Sequence, residues 1–247
     1  MKEAHVRFYA ELNDFLPPEK RMRNTIYSFE VSGSVKDMVE SIGVPHTEVD
    51  LILANGEPVD FAYRVQNGDR ISVYPTFQSL ELSPVVHLRP QLLRELRFVA
   101  DTHLGRLAAY LRMLGFDTLY RNDYRDEDLA RLSAGEKRFL LTRDRGLLKR
   151  SIVIRGYCLR ATDPRLQLVE VFQRFDLLGS IAPFRRCIHC NGLLQPTRKE
   201  LVSDRLLPQT RRYFDEFYIC PECNRIYWKG SHYRRMQRLI EIVTGSL

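Results

Sequence analysis

Apolar and polar positions alternate with period two in several stretches of the first 75 residues. Val6-Arg7-Phe8-Tyr9-Ala10 and Thr25-Ile26-Tyr27-Ser28-Phe29-Glu30-Val31 predict two strands. The period then changes. Val35, Met38, Val39 and Ile42 recur at helical spacing, Ser34 and Asp37 are placed to cap that helix, and Gly43 is placed to end it. Leu51-Ile52-Leu53-Ala54 before Asn55-Gly56, and Arg70-Ile71-Ser72-Val73-Tyr74-Pro75 after Gly68-Asp69, predict two more strands. Residues 81–95 hold Pro84 and Pro90 without periodicity and are expected to link domains.

Beyond residue 95 the pattern is different. Phe98-Val99-Ala100-Asp101 and Phe139-Leu140-Leu141-Thr142-Arg143-Asp144 are continuous apolar runs that end at an aspartate. Such runs suit strands buried on both faces. Leu104, Leu107, Ala108, Leu111 and Leu114 form a helical stripe that stops at Gly115, and Phe116–Tyr120 reads as another strand. A helix is expected from Asp126, a short one over Arg145–Arg150, one or two strands within Ile152–Thr162, and a final helix bearing Leu166, Leu168, Val169, Val171, Phe172 and Phe175. Alternating β and α elements imply a parallel sheet covered by helices. Near the end, Met236, Leu239, Ile240 and Val243 fall on one face of a helix from Tyr233.

Charge sharpens this division. Residues 1–80 carry 8 Lys/Arg against 12 Asp/Glu, a net of −4, whereas residues 81–247 carry 30 against 19, a net of +11. The basic part suits a polyanion such as nucleic acid, or a solvated basic face. No apolar run approaches the ~20 residues that span a bilayer, and the first residues lack a signal-peptide core. A soluble, cytoplasmic chain is expected.

Four of the five cysteines are paired as Cys187-x-x-Cys190 and Cys220-x-x-Cys223, with 29 residues between the inner two. Two such knuckles can close a tetrahedron of thiolates around zinc, leaving no open position, so a structural site is expected. Redox pairs are the competing reading. Cys158 reads as a small buried residue. Around the knuckles, Arg185, Arg186, Arg198, Arg211, Arg212, Lys229, Arg234 and Arg235 interleave with Tyr213, Tyr218, Tyr227, Trp228 and Tyr233. That mixture suits single-stranded RNA, or the aromatics pack the ribbon.

In parallel sheets the C-terminal strand edge carries the ligands. Asp101 and Asp144 belong to that edge, with Asp126 on the intervening helix. Carboxylates gathered there can hold Mg²⁺ or Mn²⁺ for phosphodiester hydrolysis. They can equally cap the helices that follow, and spacing leaves both readings open. Asp123, Asp128 and Asp163 are secondary candidates. Arg106, Arg112, Arg143 and Arg145 flank the same edge and are expected to bind substrate phosphates. His103 can polarise a water or sit at the surface.

The ββαββ order with its Asn-Gly and Gly-Asp turns resembles a ubiquitin-like β-grasp domain of the sulfur-carrier kind. The chain runs on through Phe77-Gln78-Ser79-Leu80 instead of ending in Gly-Gly, which argues against sulfur transfer and for a protein-docking or structural role. Phe98-Val99-Ala100-Asp101, Leu104-Gly105-Arg106-Leu107, Leu111-Arg112-Met113-Leu114-Gly115-Phe116-Asp117-Thr118 and Leu141-Thr142-Arg143-Asp144-Arg145 resemble the C-terminal RNase domain of the Mut-seven type. The four-cysteine module and the fused β-grasp domain match as well. The resemblance implies a PIN-like, metal-dependent ribonuclease with Asp101, Asp126 and Asp144 as its acidic set. The expected organisation is an α+β β-grasp domain over 1–80, a linker over 81–95, an α/β nuclease domain over 96–182 and a zinc ribbon with a terminal helix over 183–247. The alternative is an RNA-binding adaptor on a nuclease fold, without turnover.

Overall fold

The computed structural model describes residues 1–75 and 96–245; the expected linker lies outside them. In chain order the elements are β1 (Lys2–Phe8), β2 (Thr25–Phe29), α1 (Val35–Ile42), β3 (Val49–Ala54), β4 (Glu57–Val59), β5 (Arg70–Pro75), β6 (Arg97–Ala100), α2 (Gly105–Met113), β7 (Asp117–Leu119), α3 (Asp126–Gly135), β8 (Phe139–Thr142), α4 (Arg145–Leu148), β9 (Gly156–Cys158), α5 (Pro164–Phe175), β10 (Gln195–Thr197), α6 (Pro208–Tyr213), β11 (Phe217–Ile219), β12 (Ile226–Trp228) and α7 (Ser231–Gly245). Two compact units emerge. One contains residues 1–75 together with Asp144–Cys158, and the other contains 96–143 and the chain from Leu159 onward.

In the first unit the sheet order is β2-β1-β5-β3-β4. β1 and β5 run parallel, and the other pairs are antiparallel. Ala4, Val6 and Phe8 of β1 are buried with Ile71 and Val73 of β5 and with Val35, Met38 and Val39 of α1. This is period-two alternation turned into one covered face, each large apolar side chain contributing roughly 1.5–3 kcal/mol. Ser34 and Asp37 form the expected capping box. Gly43 ends α1 at φ 121°, a conformation that disfavours any side chain. The short β4 adds a strand beyond the expected ββαββ order.

The segment Asp144–Cys158 lies within the stretch expected for the nuclease domain, yet belongs to this first unit. His46 stands between the Glu40 carboxylate (2.5 Å) and the Val153 carbonyl (2.8 Å), and the Glu48 carboxylate accepts from the Cys158 N–H at 2.5 Å. Lys149 donates to the Glu40 carbonyl at 2.6 Å. The contacts to Lys149, Val153 and Cys158 span more than 100 residues of sequence, which no local periodicity encodes.

In the second unit β7, β6 and β8 are adjacent in that order and parallel. Phe98, Val99, Ala100, Leu140, Leu141 and Thr142 are fully buried, as the continuous runs predict. α2 and α5 pack on each other, and Phe98 meets Phe116, Phe139 and Phe175 edge-on or tilted at 5.3–6.5 Å. Gly115 has φ +98°, and a Cβ there would lie 2.2 Å from the Ala182 carbonyl oxygen. The helix stop and the close passage of that chain therefore need the same glycine. The antiparallel ribbon β10-β11-β12 belongs to this unit, and Val202, Leu206 and Phe217 form its core beneath Phe214, Ile226 and Trp228. Trp228 thus packs the ribbon. No helix among the described residues is long and apolar enough to cross a membrane.

Candidate metal and nuclease sites

Two knuckles with one local design bring the cysteines together. Cys187-Ile188-His189-Cys190-Asn191 and Cys220-Pro221-Glu222-Cys223-Asn224 share the pattern Cys-x-x-Cys-Asn. In each, the asparagine N–H donates to the carbonyl of the first cysteine, at 2.9 and 2.8 Å. Asn191 and Asn224 both take positive φ, 74° and 60°, which asparagine tolerates better than most residues. Each knuckle thereby turns two thiols inward. Cys187 Sγ lies 3.5 Å from Cys223 Sγ, and Cys190 Sγ 3.4 Å from Cys220 Sγ. All four sulfurs fall within 4.8 Å of one another.

Such a set can hold a metal ion such as zinc. Burial pushes the Cys190 and Cys223 thiols up. Burial acts the same way on Cys187, but the Tyr227 hydroxyl, 2.9 Å away, and the Cys190 amide bring it down to about 7. Four thiolates this close repel one another, and a bound cation is what lets them ionise together. Tyr227 entered the sequence reading only as an RNA-stacking or ribbon-packing aromatic, and Asn191 and Asn224 escaped it, although the asparagine repeated after each second cysteine was a usable signal.

The first knuckle is tied to the parallel strands. Asn191 accepts from the Thr118 N–H through Oδ1 at 3.0 Å and donates through Nδ2 to Asp117 at 2.8 Å. Asp117 also receives Arg138 at 2.6 Å and Arg186 at 3.2 Å. Arg112 was expected at the substrate. It is instead buried at 4% exposure, its guanidinium donating to the carbonyls of Thr118, Tyr120, Ile188 and His189. Its donors face the chain because α2 must be joined to both β7 and the knuckle. Arg145 departs in a similar way: its guanidinium donates to the Phe15 carbonyl at 3.2 Å and lies 5.0 Å from the Phe15 ring centre.

Asp101, directly after β6, is 5% exposed. Its Oδ1 accepts from the Thr102 N–H at 2.6 Å and the Thr102 hydroxyl at 3.2 Å; its Oδ2 accepts from the Thr142 hydroxyl at 2.5 Å. His103 Nε2 lies 3.3 Å from Oδ2, on a half-exposed ring. Asp144 caps α4 by accepting from the Gly146 and Leu147 N–H groups, and Asp163 caps α5 in the same manner. Asp126 is the first residue of α3 and is exposed; the capping carboxylate there is Asp128, which accepts from the Arg125 N–H. Asp123 is paired with Arg121 on the surface. Arg106 and Arg143 are exposed. Among the described residues, the four cysteines are the one group of three or more potential ligands gathered within metal-binding range, and no set of carboxylates is gathered in that way.

A cleft of about 490 Å³ opens beside Asp101, lined by Thr102, His103, Arg106, Tyr120, Thr162 and Gln167 among others.

The model of the Mut7-C RNAse domain matches residues 96–240, and that of the Mut7-C ubiquitin domain matches residues 1–81. No curated protein and no solved structure matches the chain. A match over more than half the chain, on top of a ubiquitin-like sheet and a helix-covered parallel one, makes this chain a member of the Mut7-C RNAse domain family.

Proposed function

We propose that the protein is a metal-dependent ribonuclease of PIN-like kind that hydrolyses RNA phosphodiester bonds, with Asp101, Asp126 and Asp144 as its acidic residues. The observation that carries this reading is the Asp101 carboxylate: buried, fixed on both oxygens and flanked by His103. A carboxylate offers about four lone-pair sites, so three hydrogen bonds leave capacity for a hard cation. Mg²⁺ binds through one or two carboxylates and keeps several waters, so no all-protein cage is required. When bound, Mg²⁺ or Mn²⁺ supplies Lewis-acid stabilisation and a more acidic water.

The chain's own residues do the rest. Thr102 and Thr142 hold the carboxylate in one orientation. Arg106 and Arg143, exposed at the surface, receive phosphate oxygens. His103 holds or gives up a proton at Nε2 beside Asp101. Zinc on Cys187, Cys190, Cys220 and Cys223 has a structural role, since four protein ligands close its coordination. Arg211 and Arg212, with the exposed Tyr213, extend the basic surface to single-stranded RNA. The ubiquitin-like domain takes a protein partner, and the enzyme works in the cytoplasm.

The test is incubation of the full chain with labelled single-stranded RNA and Mn²⁺, with and without EDTA. Cleavage that requires the metal supports the reading. Binding without cleavage under Mg²⁺ and Mn²⁺ replaces it with an RNA-binding adaptor.

A further inference from the structure

The cleft beside Asp101 has features the hydrolysis itself does not use. Its wall combines Leu104, Leu107, Pro164 and Tyr120 with the polar side chains of Thr102, His103, Arg106, Thr162 and Gln167, in a volume of about 490 Å³. Small-ligand sites span roughly 300–1,000 Å³ and pair apolar wall with polar groups that fix the ligand's orientation. Thr102 and His103 belong both to this wall and to the set that touches Asp101. A ligand group in the cleft therefore lies next to that carboxylate, with the exposed Arg106 at its rim.

Gln167, on α5, is the informative wall residue. It is 4% exposed, whereas glutamine is mostly an exposed residue. Its Nε2 donates to the Ala161 carbonyl at 3.0 Å. That carbonyl can only accept, so the amide is locked with the nitrogen on the Ala161 side. The remaining group, Oε1, is an acceptor with a fixed direction. Tyr120 is fixed too: its hydroxyl donates to the Thr102 carbonyl at 2.9 Å, and it packs so tightly on Gly105 that a Cβ there would lie 2.6 Å from the hydroxyl oxygen. A cleft of mixed lining with an amide acceptor held in one direction on its wall favours a ligand bearing an N–H donor.

We infer that this cleft is a nucleobase subsite of the RNA substrate, and that Gln167 selects bases with an exocyclic amino group by accepting from it through Oε1. Cytosine, adenine and guanine offer such a group, and uracil presents a carbonyl oxygen where cytosine has it. This inference rests on the ribonuclease reading for the identity of the ligand, but it concerns binding, which can be read without turnover.

The discriminating pair is cytosine and uracil, which share ring size and stacking and differ at the amino group. Fluorescence anisotropy of labelled ten-nucleotide oligo(C) and oligo(U) is measured with the full chain in EDTA. The expected result is about tenfold tighter binding of oligo(C), the value of one hydrogen bond to a fixed buried acceptor. Gln167→Met removes the acceptor at nearly constant volume and brings the two affinities together. Because Gln167 is buried, a second variant guards against misfolding: Thr162→Trp, at an exposed position on the cleft wall, fills the slot and also erases the preference. Equal binding of the two oligomers by the unmodified chain, or a preference that survives both variants, overturns the subsite. Cleavage of the same oligomers in Mn²⁺ is scored separately: equal cleavage of both with no binding preference sinks the subsite alone, and selective binding without any cleavage sinks the ribonuclease reading alone.

Discussion

The Thr142 hydroxyl donates to Oδ2 of Asp101 across 2.5 Å, so the last residue of β8 holds the carboxylate that follows β6. Both groups are buried, Thr142 fully and Asp101 at 5% exposure. A hydrogen bond to a buried charge is worth about 1.5–3 kcal/mol, and partners that orient a metal-binding side chain commonly account for 10–100-fold in affinity or activity. Thr142→Ala is expected to lower RNA cleavage by about that factor and to raise the Mn²⁺ concentration needed for half activity. Thr142→Ser, which keeps the hydroxyl, is expected to restore most of both. Equal metal dependence in the alanine variant and the unmodified chain would contradict a positioning role.

The cysteine set leads to a prediction about metal content. Purified protein is expected to carry about one equivalent of zinc, by elemental analysis, because four thiolates complete one tetrahedral site. Cys220→Ser is expected to lose it. Removal with a strong chelator is expected to lower the melting temperature of the whole second unit and not of the ribbon alone, since Arg112 and Asn191 join the first knuckle to α2 and β7. Protein that holds well under one equivalent and melts unchanged would remove the zinc assignment.

Asn191 does two things at once, and two substitutions separate them. Its backbone takes φ 74°, and its side chain satisfies the buried Thr118 N–H and Asp117. Asn191→Gly keeps the conformation and loses the side-chain bonds, leaving a buried donor unpaired at about 1–3 kcal/mol. Asn191→Ala adds backbone strain of about 1 kcal/mol or more. Urea unfolding is expected to rank stability as Asn above Gly above Ala.

How much of this was legible in the sequence depends on the range of the interaction. The buried strands Phe98–Ala100 and Phe139–Thr142, the Ser34–Asp37 box and the Gly43 and Gly115 stops all follow from local pattern, and all are observed. The paired Cys-x-x-Cys motifs announced the metal set. What spacing did not carry is where long polar side chains end. Arg112 and Arg145 flank the expected edge in sequence, but a flexible guanidinium takes whichever acceptors the fold brings near, here carbonyls distant in sequence. The same holds for Asn191 and Gln167, whose partners are set by tertiary contact. Nor did capping and metal binding separate by spacing, because Asp101 and Asp144 do cap the elements after them.

Acid should weaken the Asp117 cluster. Burial alone would raise its pKa, but hydrogen bonds from Arg138 and Asn191 and the charges of Arg138 and Arg186 outweigh burial and hold it below the usual aspartate value. The folded state then binds fewer protons than the unfolded one across that interval. Its stabilisation is fully present above the unfolded pKa, near 4, and is lost as pH falls through the lower folded value. Asp117→Asn is expected to be less stable at neutral pH and to lose less stability below about pH 4. Urea midpoints measured across that range test it; parallel acid limbs for the two proteins would contradict it.

The most direct measurement is Mn²⁺-dependent cleavage of single-stranded RNA by the full chain beside Asp101→Asn, with Asp126→Asn and Asp144→Asn assayed singly. Asn keeps the size of Asp101 and a hydrogen-bond acceptor but removes the charge that a cation needs. The unmodified chain is expected to cleave, EDTA to stop it, and Asp101→Asn to lower the rate by about a hundred- to a thousandfold, on the order of the loss of one group that stabilises the transition state, while the fold and RNA binding persist. Cleavage by Asp101→Asn at the unmodified rate would contradict that expectation.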